Sequence, residues 1–276
     1  MKAYNKTLLV TGLSLTLAIL GQSPLAQAEI KYIDGAGSES AQSQETGKDE
    51  SPEEVSQTEG IAAEQVIIRI SPEGYVSSHG DHYHSFNGEV PFDSIISREL
   101  LAPQDYRFNK EDVVTEIDQG YVVDVEGKYY VYYDHPDQAK NLRTKEEISL
   151  QSYGLHPQDA RKLIQVREEL GLAKDSKISY KTDQTEADLA QEEGKDSQVV
   201  YLMANNYVSL IGNQLYIFPG PVPEDAVFNR RLLAPANYEF KETDKLQDTA
   251  EGAIVQQDQT YYLYVKDQQA AENLSD

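Results

Sequence analysis

The chain has 276 residues, with 24 Lys and Arg against 47 Asp and Glu, a formal net charge of −23, and no cysteine. The missing cysteine excludes disulfides and lipid attachment through an N-terminal cysteine. A surface this acidic repels phosphate backbones, which argues against nucleic acid as a partner and suits a protein that handles cations.

Residues 1–28 read as a secretory signal peptide. Lys2 and Lys6 precede an apolar run over 8–20, and Ala26-Gln27-Ala28 offers small residues for cleavage after Ala28. The expected location is extracellular, secreted or non-covalently associated with the cell surface. That run is too short to span a bilayer, and nothing later approaches about 18 consecutive apolar residues, so no transmembrane segment is expected. Residues 29–50, which include DGAGSESAQSQETGKDE, are small, polar and acidic and read as a disordered linker. The stretch 51-SPEEVSQTEG-60 predicts a short helix: Ser51 caps it, Pro52 opens it, Glu53 and Glu54 meet the positive dipole end, and Gly60 stops it.

The run 66-VIIRI-70 predicts a strand. Residues 91–101 carry Ile95, Ile96 and Leu100 after a proline and predict a helix. The stretch 121-YVVDVEGKYYVYY-133 predicts a β-hairpin around Glu126-Gly127. Residues 144–173 have helical character, with Leu163, Ile164, Arg167 and Leu170 at helical spacing. Residues 174–196 are polar and acidic and read as a second linker.

The chain also repeats itself. RELLAPQDYRF from Arg98 returns as RRLLAPANYEF from Arg230, and the same offset pairs Tyr75-Val76-Ser77 with Tyr207-Val208-Ser209 and Tyr129-Tyr130 with Tyr261-Tyr262. The expected fold class is α+β: two small modules of short β-hairpins and sheet with short helices. They lie at 51–143 and 192–276, with a helical segment and acidic linker at 144–191 between them.

Three of the five histidines, His79, His82 and His84, crowd into SHGDHYH. Gly80-Asp81 suits a tight two-residue turn, which makes His79 and His82 cross-strand partners, with Cβ atoms about 5 Å apart. His84, two residues beyond His82, shares its face. One turn thus aims three imidazoles at a point and leaves one position of a tetrahedral zinc for a carboxylate, a water or a substrate. His135 and His156, each followed by proline, read as turn or helix-start residues without a metal role. In the repeat the three histidines become Ile211, Gln214 and Tyr216 while Gly212-Asn213 keeps the turn, so the second module is expected to hold no metal.

The segment 72-PEGYVSSHGDHYHSFNGEVPFDSIIS-97, with KYIDG at 31–35, EGIAAEQVIIRI from Glu59, GYVVDVEGKYYVYY at 120–133 and NLRTKEEI at 141–148, resembles the streptococcal polyhistidine triad surface proteins. The resemblance covers about residues 31–148, and the second module is similar as a degenerate copy. It implies Zn2+ bound by His79, His82 and His84, with a glutamate as fourth ligand that falls on Glu59, for which Glu64 and Asp81 are competitors. It also implies transfer of zinc to the binding lipoprotein of an ABC importer, and contact with host complement regulators or matrix proteins. Family members carry several intact triads; this chain has one, which favours a single-site carrier over bulk storage.

Zinc acquisition is therefore the expected function, with an adhesin or complement-evasion module, in which the tyrosine-rich hairpins bind and the zinc is structural, as the alternative. No H-E-x-x-H, nucleophile elbow or paired catalytic carboxylate is visible, so an enzyme is not expected.

Overall fold

Ser51, Pro52 and Glu54 specify a helix start. The computed structural model describes residues 43–45, 51–267 and 274–275. The expected signal peptide lies outside the described residues, as does most of the 29–50 segment. Within that segment Ser43–Glu45 form a strand, β1. Helix α1 spans Pro52–Glu59. Ser51 and Glu54 form a reciprocal capping box, and Gly60 closes the helix at φ 64, where a side chain would be strained.

Strands β2 (Val66–Ser71), β3 (Gly74–His79) and β4 (His82–Asn87) follow as an antiparallel meander. Next come β5 (Ile95–Ser97), β6 (Val113–Ile117), β7 (Gly120–Val125), β8 (Lys128–Tyr132) and β9 (Leu142–Arg143). The larger sheet runs β1-β4-β3-β2-β5-β9, and β6-β7-β8 form a separate three-stranded sheet. The turn between β7 and β8 has Glu126 at φ 55 and Gly127 at φ 81, the double positive φ that a tight hairpin turn needs.

Residues 91–101 are not the expected helix. They form β5 and then a single 3-10 turn, Arg98–Leu100. Two adjacent β-branched residues decide this: Ile95 and Ile96 pair in parallel with Val66 and Ile67, and Ile96 is fully buried.

The chain continues with α2 (Lys145–Gln151), α3 (Pro157–Glu169), β10 (Ile178–Tyr180) and α4 (Glu186–Glu193). The copied sheet follows as β11 (Ser197–Leu202), β12 (Asn206–Ile211), β13 (Gln214–Pro219) and β14 (Phe228–Asn229). Last are β15 (Lys245–Asp248), β16 (Ala253–Gln257), β17 (Thr260–Tyr264) and β18 (Leu274–Ser275). The second large sheet runs β10-β13-β12-β11-β14-β18, the same order as the first, with β15-β16-β17 as its three-stranded partner. The fold class is α+β.

Two boundaries move. The segment read as an acidic linker holds β10 and α4, which repeat β1 and α1, so the second copy starts at Ile178 rather than at 192. Its charge misled because α4 lies on the surface with one face solvated; of its eight residues only Glu186 and Leu189 are buried. The helical segment is also more than a connector. Leu150, Leu155, Ala160, Leu163 and Val166 pack with Val200, Val208, Leu215 and Ile217 against one face of the second sheet.

The first copy has its own core, in which Val55 of α1 joins Ile67, Tyr75, Phe86, Ile96, Val122 and Val131. The second has the matching set, with Leu189, Val199, Tyr207, Phe218, Phe228 and Leu263. Of the four tyrosines near β8, Tyr133 is buried and Tyr129 packs on the core. Tyr132 lies on the other face, stacked on Phe108 with ring centroids 4.9 Å apart. No helix among the described residues is long and apolar enough to cross a membrane.

Candidate metal centre

The site starts from one turn. His79 and His82 are direct partners across the β3–β4 ladder, and Gly80 between them sits at φ 63. A Cβ there would also crowd Ile61 at 3.3 Å, so glycine is required both for the turn and for the close approach of the segment after α1. His84 opposes Ser77 and lies on the same face as His82. The ring centroids are 5.7 Å apart for His79 and His82, 5.6 Å for His79 and His84, and 4.6 Å for His82 and His84. The turn and the shared face are as the sequence predicts.

The fourth group arrives from a different element. Glu59 is the last residue of α1, and the left-handed turn at Gly60 leaves its carboxylate facing the hairpin. Glu59 Oε2 is 2.8 Å from His79 Nδ1, 3.2 Å from His82 Nε2 and 3.3 Å from His84 Nε2. One donor atom from each of the four residues lies within 4.8 Å of all the others. Tetrahedral zinc with bonds near 2.0–2.1 Å places its donors about 3.3 Å apart. The carboxylate-to-imidazole distances are at or below that spacing, and no two of the four donors are more than 4.8 Å apart. Three imidazole nitrogens and one carboxylate oxygen are a donor set that suits zinc, copper or nickel.

His79 and His84 are essentially fully buried, and His79 Nε2 and His84 Nδ1, pointing away from the centre, have no hydrogen-bond partner. On their outer sides packing holds those two rings, and on the inner side each meets Glu59. His82 is oriented differently: its Nδ1 lies 3.1 Å from Asp81 Oδ1 while its Nε2 faces Glu59, so the tautomer with its proton on Nδ1 would offer Nε2 to a metal.

The electrostatics favour the state a cation needs. Burial pushes the His84 imidazole below its ordinary value, only partly opposed by the nearby Glu59 charge, which favours the neutral ring. Burial works to raise the Glu59 carboxyl, but the hydrogen bond from His79, the charge of His84 and the contact with His82 outweigh it and hold Glu59 below the usual range.

The other two candidates for the fourth position do different work. Glu64 is held by both guanidinium arms of Arg143, at 2.7 Å each, with Gln151 at 3.1 Å and Arg161 at 3.6 Å. Its backbone N–H also donates to Gln151. Burial opposes ionisation of Glu64, and the Arg143 pair more than compensates. Asp81 is exposed and reaches only His82. Glu64→Ala strands Arg143 in a mostly buried position and should cost about 3 kcal/mol in urea unfolding. Metal stoichiometry should be unchanged, which separates this clamp from the ligand set.

His156 caps α3, accepting from the Gln158 N–H, and His135 lies exposed in a bend; neither approaches the cluster.

The second copy keeps the frame and replaces the donors. Ile211 and Gln214 flank the turn at Gly212, which has φ 62, and Tyr216 stands where His84 stands in the first copy. Sequence alignment offers Gln191 or Glu192 as the match to Glu59; the structure corrects this to Glu193. Both are the eighth and last residue of their helix, each followed by a left-handed glycine, Gly60 or Gly194. A gap upstream of Tyr75, hidden in a polar stretch, shifts the offset and explains the miss. Tyr216 donates its hydroxyl to Glu193 at 2.8 Å, and burial with that carboxylate pushes its pKa up to about 12.

Among the described residues, Glu59, His79, His82 and His84 are the one group that converges with metal-ligating spacing. Comparison of the chain with family models and with curated proteins gave no match.

Proposed function

We propose that this chain is an extracellular zinc-binding protein of the polyhistidine triad type. It captures Zn2+ with Glu59, His79, His82 and His84 and supplies it to the binding lipoprotein of a zinc ABC importer. The convergence of four donor atoms within 4.8 Å, from two elements of the fold, carries the metal-binding part. The importer, the cell-surface location and the choice of zinc rest on the resemblance and on the expected signal peptide. With four protein donors the coordination shell is filled, which suits a carrier better than a hydrolase that needs an open position.

Calorimetric titration of the full chain with Zn2+ should give one ion per chain. Loss of an outer-shell partner alone costs 10–100-fold in affinity, so His82→Ala, which removes a direct donor, should cost more than about a hundredfold. Unchanged affinity in His82→Ala would sink the proposal. Capture by the lipoprotein is tested by mixing the zinc-loaded chain with that protein and following where the metal goes.

A second reading, a host-contact module with structural zinc, is favoured by one repeated feature. Both copies leave a phenylalanine partly exposed over a tyrosine on the three-stranded sheet, Phe108 on Tyr132 and Phe240 on Tyr264. Aromatic side chains are enriched at interfaces. Host-protein binding that survives removal of the three histidines and fails in Phe108→Ser with Phe240→Ser would support it.

A further inference from the structure

The two copies hold their first helices in different ways. In α4, Leu189 is buried in the core and Glu186 is buried as well, its carboxyl set among Ser197, Ser209 and Tyr207. The far end of α4 is tied by the Tyr216–Glu193 hydrogen bond. Helix α1 has the apolar anchor and a tie at its far end, Glu59 to His79 at 2.8 Å, but nothing in place of the buried carboxylate. Val55 occupies the Leu189 position and is buried, while Pro52 stands where Glu186 stands and offers the sheet one backbone carbonyl, accepting from Gln65 Nε2 at 3.0 Å. Glu53, Glu54, Gln57 and Thr58 face solvent or bond within the helix. Gly60, the joint after α1, is exposed, and a Cβ there would meet nothing within 4 Å.

The contrast falls along the ligand set itself. His79, His82 and His84 lie on one hairpin inside a six-stranded sheet and cannot separate without breaking its ladder. Glu59 alone rides on a helix, and that helix lacks the buried carboxylate that pins its counterpart.

We propose that α1 is a hinged arm. It swings about Gly60 and carries Glu59 off the ion, opening one coordination position through which metal enters and leaves while the three histidines keep their places. The inference rests on the zinc-binding reading of the same site. It assigns exchange to a single removable ligand and retention to the hairpin. Local opening is drawn from segments with few buried contacts; each helix buries one apolar side chain, Val55 or Leu189, and α1 has no buried Glu186 to add to it.

The sheet of the first copy already holds half of the α4 anchor. By strand register Tyr75 matches Tyr207, Ser77 matches Ser209 and Gln65 matches Ser197. Pro52→Glu combined with Gln65→Ser should therefore pin α1 as α4 is pinned, and Val55→Ala should loosen it.

Two measurements test the hinge. In the metal-free chain, backbone amides of α1 should exchange with deuterium faster than those of α4, and the pinned variant should slow them. In stopped-flow transfer of Zn2+ to excess EDTA, Val55→Ala should accelerate release about tenfold, the effect of removing about two methylene groups from the core, and the pinned variant should slow it by a similar factor. A native chain that takes up no zinc overturns the metal reading and the gate with it. Zinc uptake with release rates unchanged in both variants, or α1 amides exchanging no faster than those of α4, overturns the gate alone.

Discussion

Placing Ile211→His, Gln214→His and Tyr216→His together should turn the silent copy into a second metal centre, raising calorimetric stoichiometry from one ion per chain to two. The frame is already in place. The β12–β13 register matches that of β3–β4 pair for pair, Gly212 keeps the turn, and Glu193 ends its helix where Glu59 ends α1, close enough to bond Tyr216 at 2.8 Å. The cost falls on the metal-free state. Ile211 is fully buried, and a neutral imidazole there without a partner destabilises by about 1–3 kcal/mol. Bound metal should restore that loss, so thermal stability of the variant should rise with Zn2+ more than that of the native chain. Adding Glu193→Ala should return the stoichiometry to one. A triple variant that folds and still takes up a single ion would show that helix and hairpin do not suffice to define the site.

Acid should strip the native site, and its onset follows from the groups present. Each histidine must be neutral to ligate, and an ordinary imidazole takes up a proton near pH 6.5, so affinity should begin to fall there. His84, lowered by burial, resists protonation longer and joins the competition at lower pH. Glu59, held below the usual carboxyl range, stays ionised through this window and is not the group that fails first. Because metal binding releases the protons its ligands would otherwise hold, affinity should fall steadily as pH drops. The metal-free fold is affected in the same direction. Because the folded pKa of His84 lies below its unfolded value, the unfolded chain binds the proton more readily, and stability is lost as pH falls through about 6.5 towards that lower folded value. Zinc titrations at a series of pH values check the first slope, and urea unfolding without metal checks the second. Affinity that stays flat from pH 7 to 5 would exclude histidine ligation.

Much of this site was legible from local chemistry. Glycine in a two-residue turn fixes the pairing of His79 with His82, and strand alternation places His84 beside them. The capping box at Ser51 and Glu54 and the stop at Gly60 define α1 completely. The less legible parts are those decided by contacts far along the chain. Spacing alone left the fourth donor unnamed; the resemblance pointed to Glu59, with Glu64 and Asp81 as competitors. Glu64 is removed from contention by Arg143 and Gln151, more than seventy residues away. Residues 91–101 looked helical because three apolar side chains can be fitted to that period, yet β2 offered Ile95 and Ile96 a strand partner. The start of the second copy was hidden by composition, since a solvated surface helix and a linker look alike when charge is the only signal.

The short strands Ser43–Glu45 and Ile178–Tyr180 bear on how such a protein behaves in company. Each lies in parallel along β4 or β13, which would otherwise be the outer strand of its sheet with a free row of amide and carbonyl groups. In the first copy that strand is also the one bearing His82 and His84. Left bare, it could zip to the same strand of another molecule, with shared metal ions stitching the seam. The added strand occupies those hydrogen-bonding positions, so the edge open to another molecule is no longer the strand that carries the histidines.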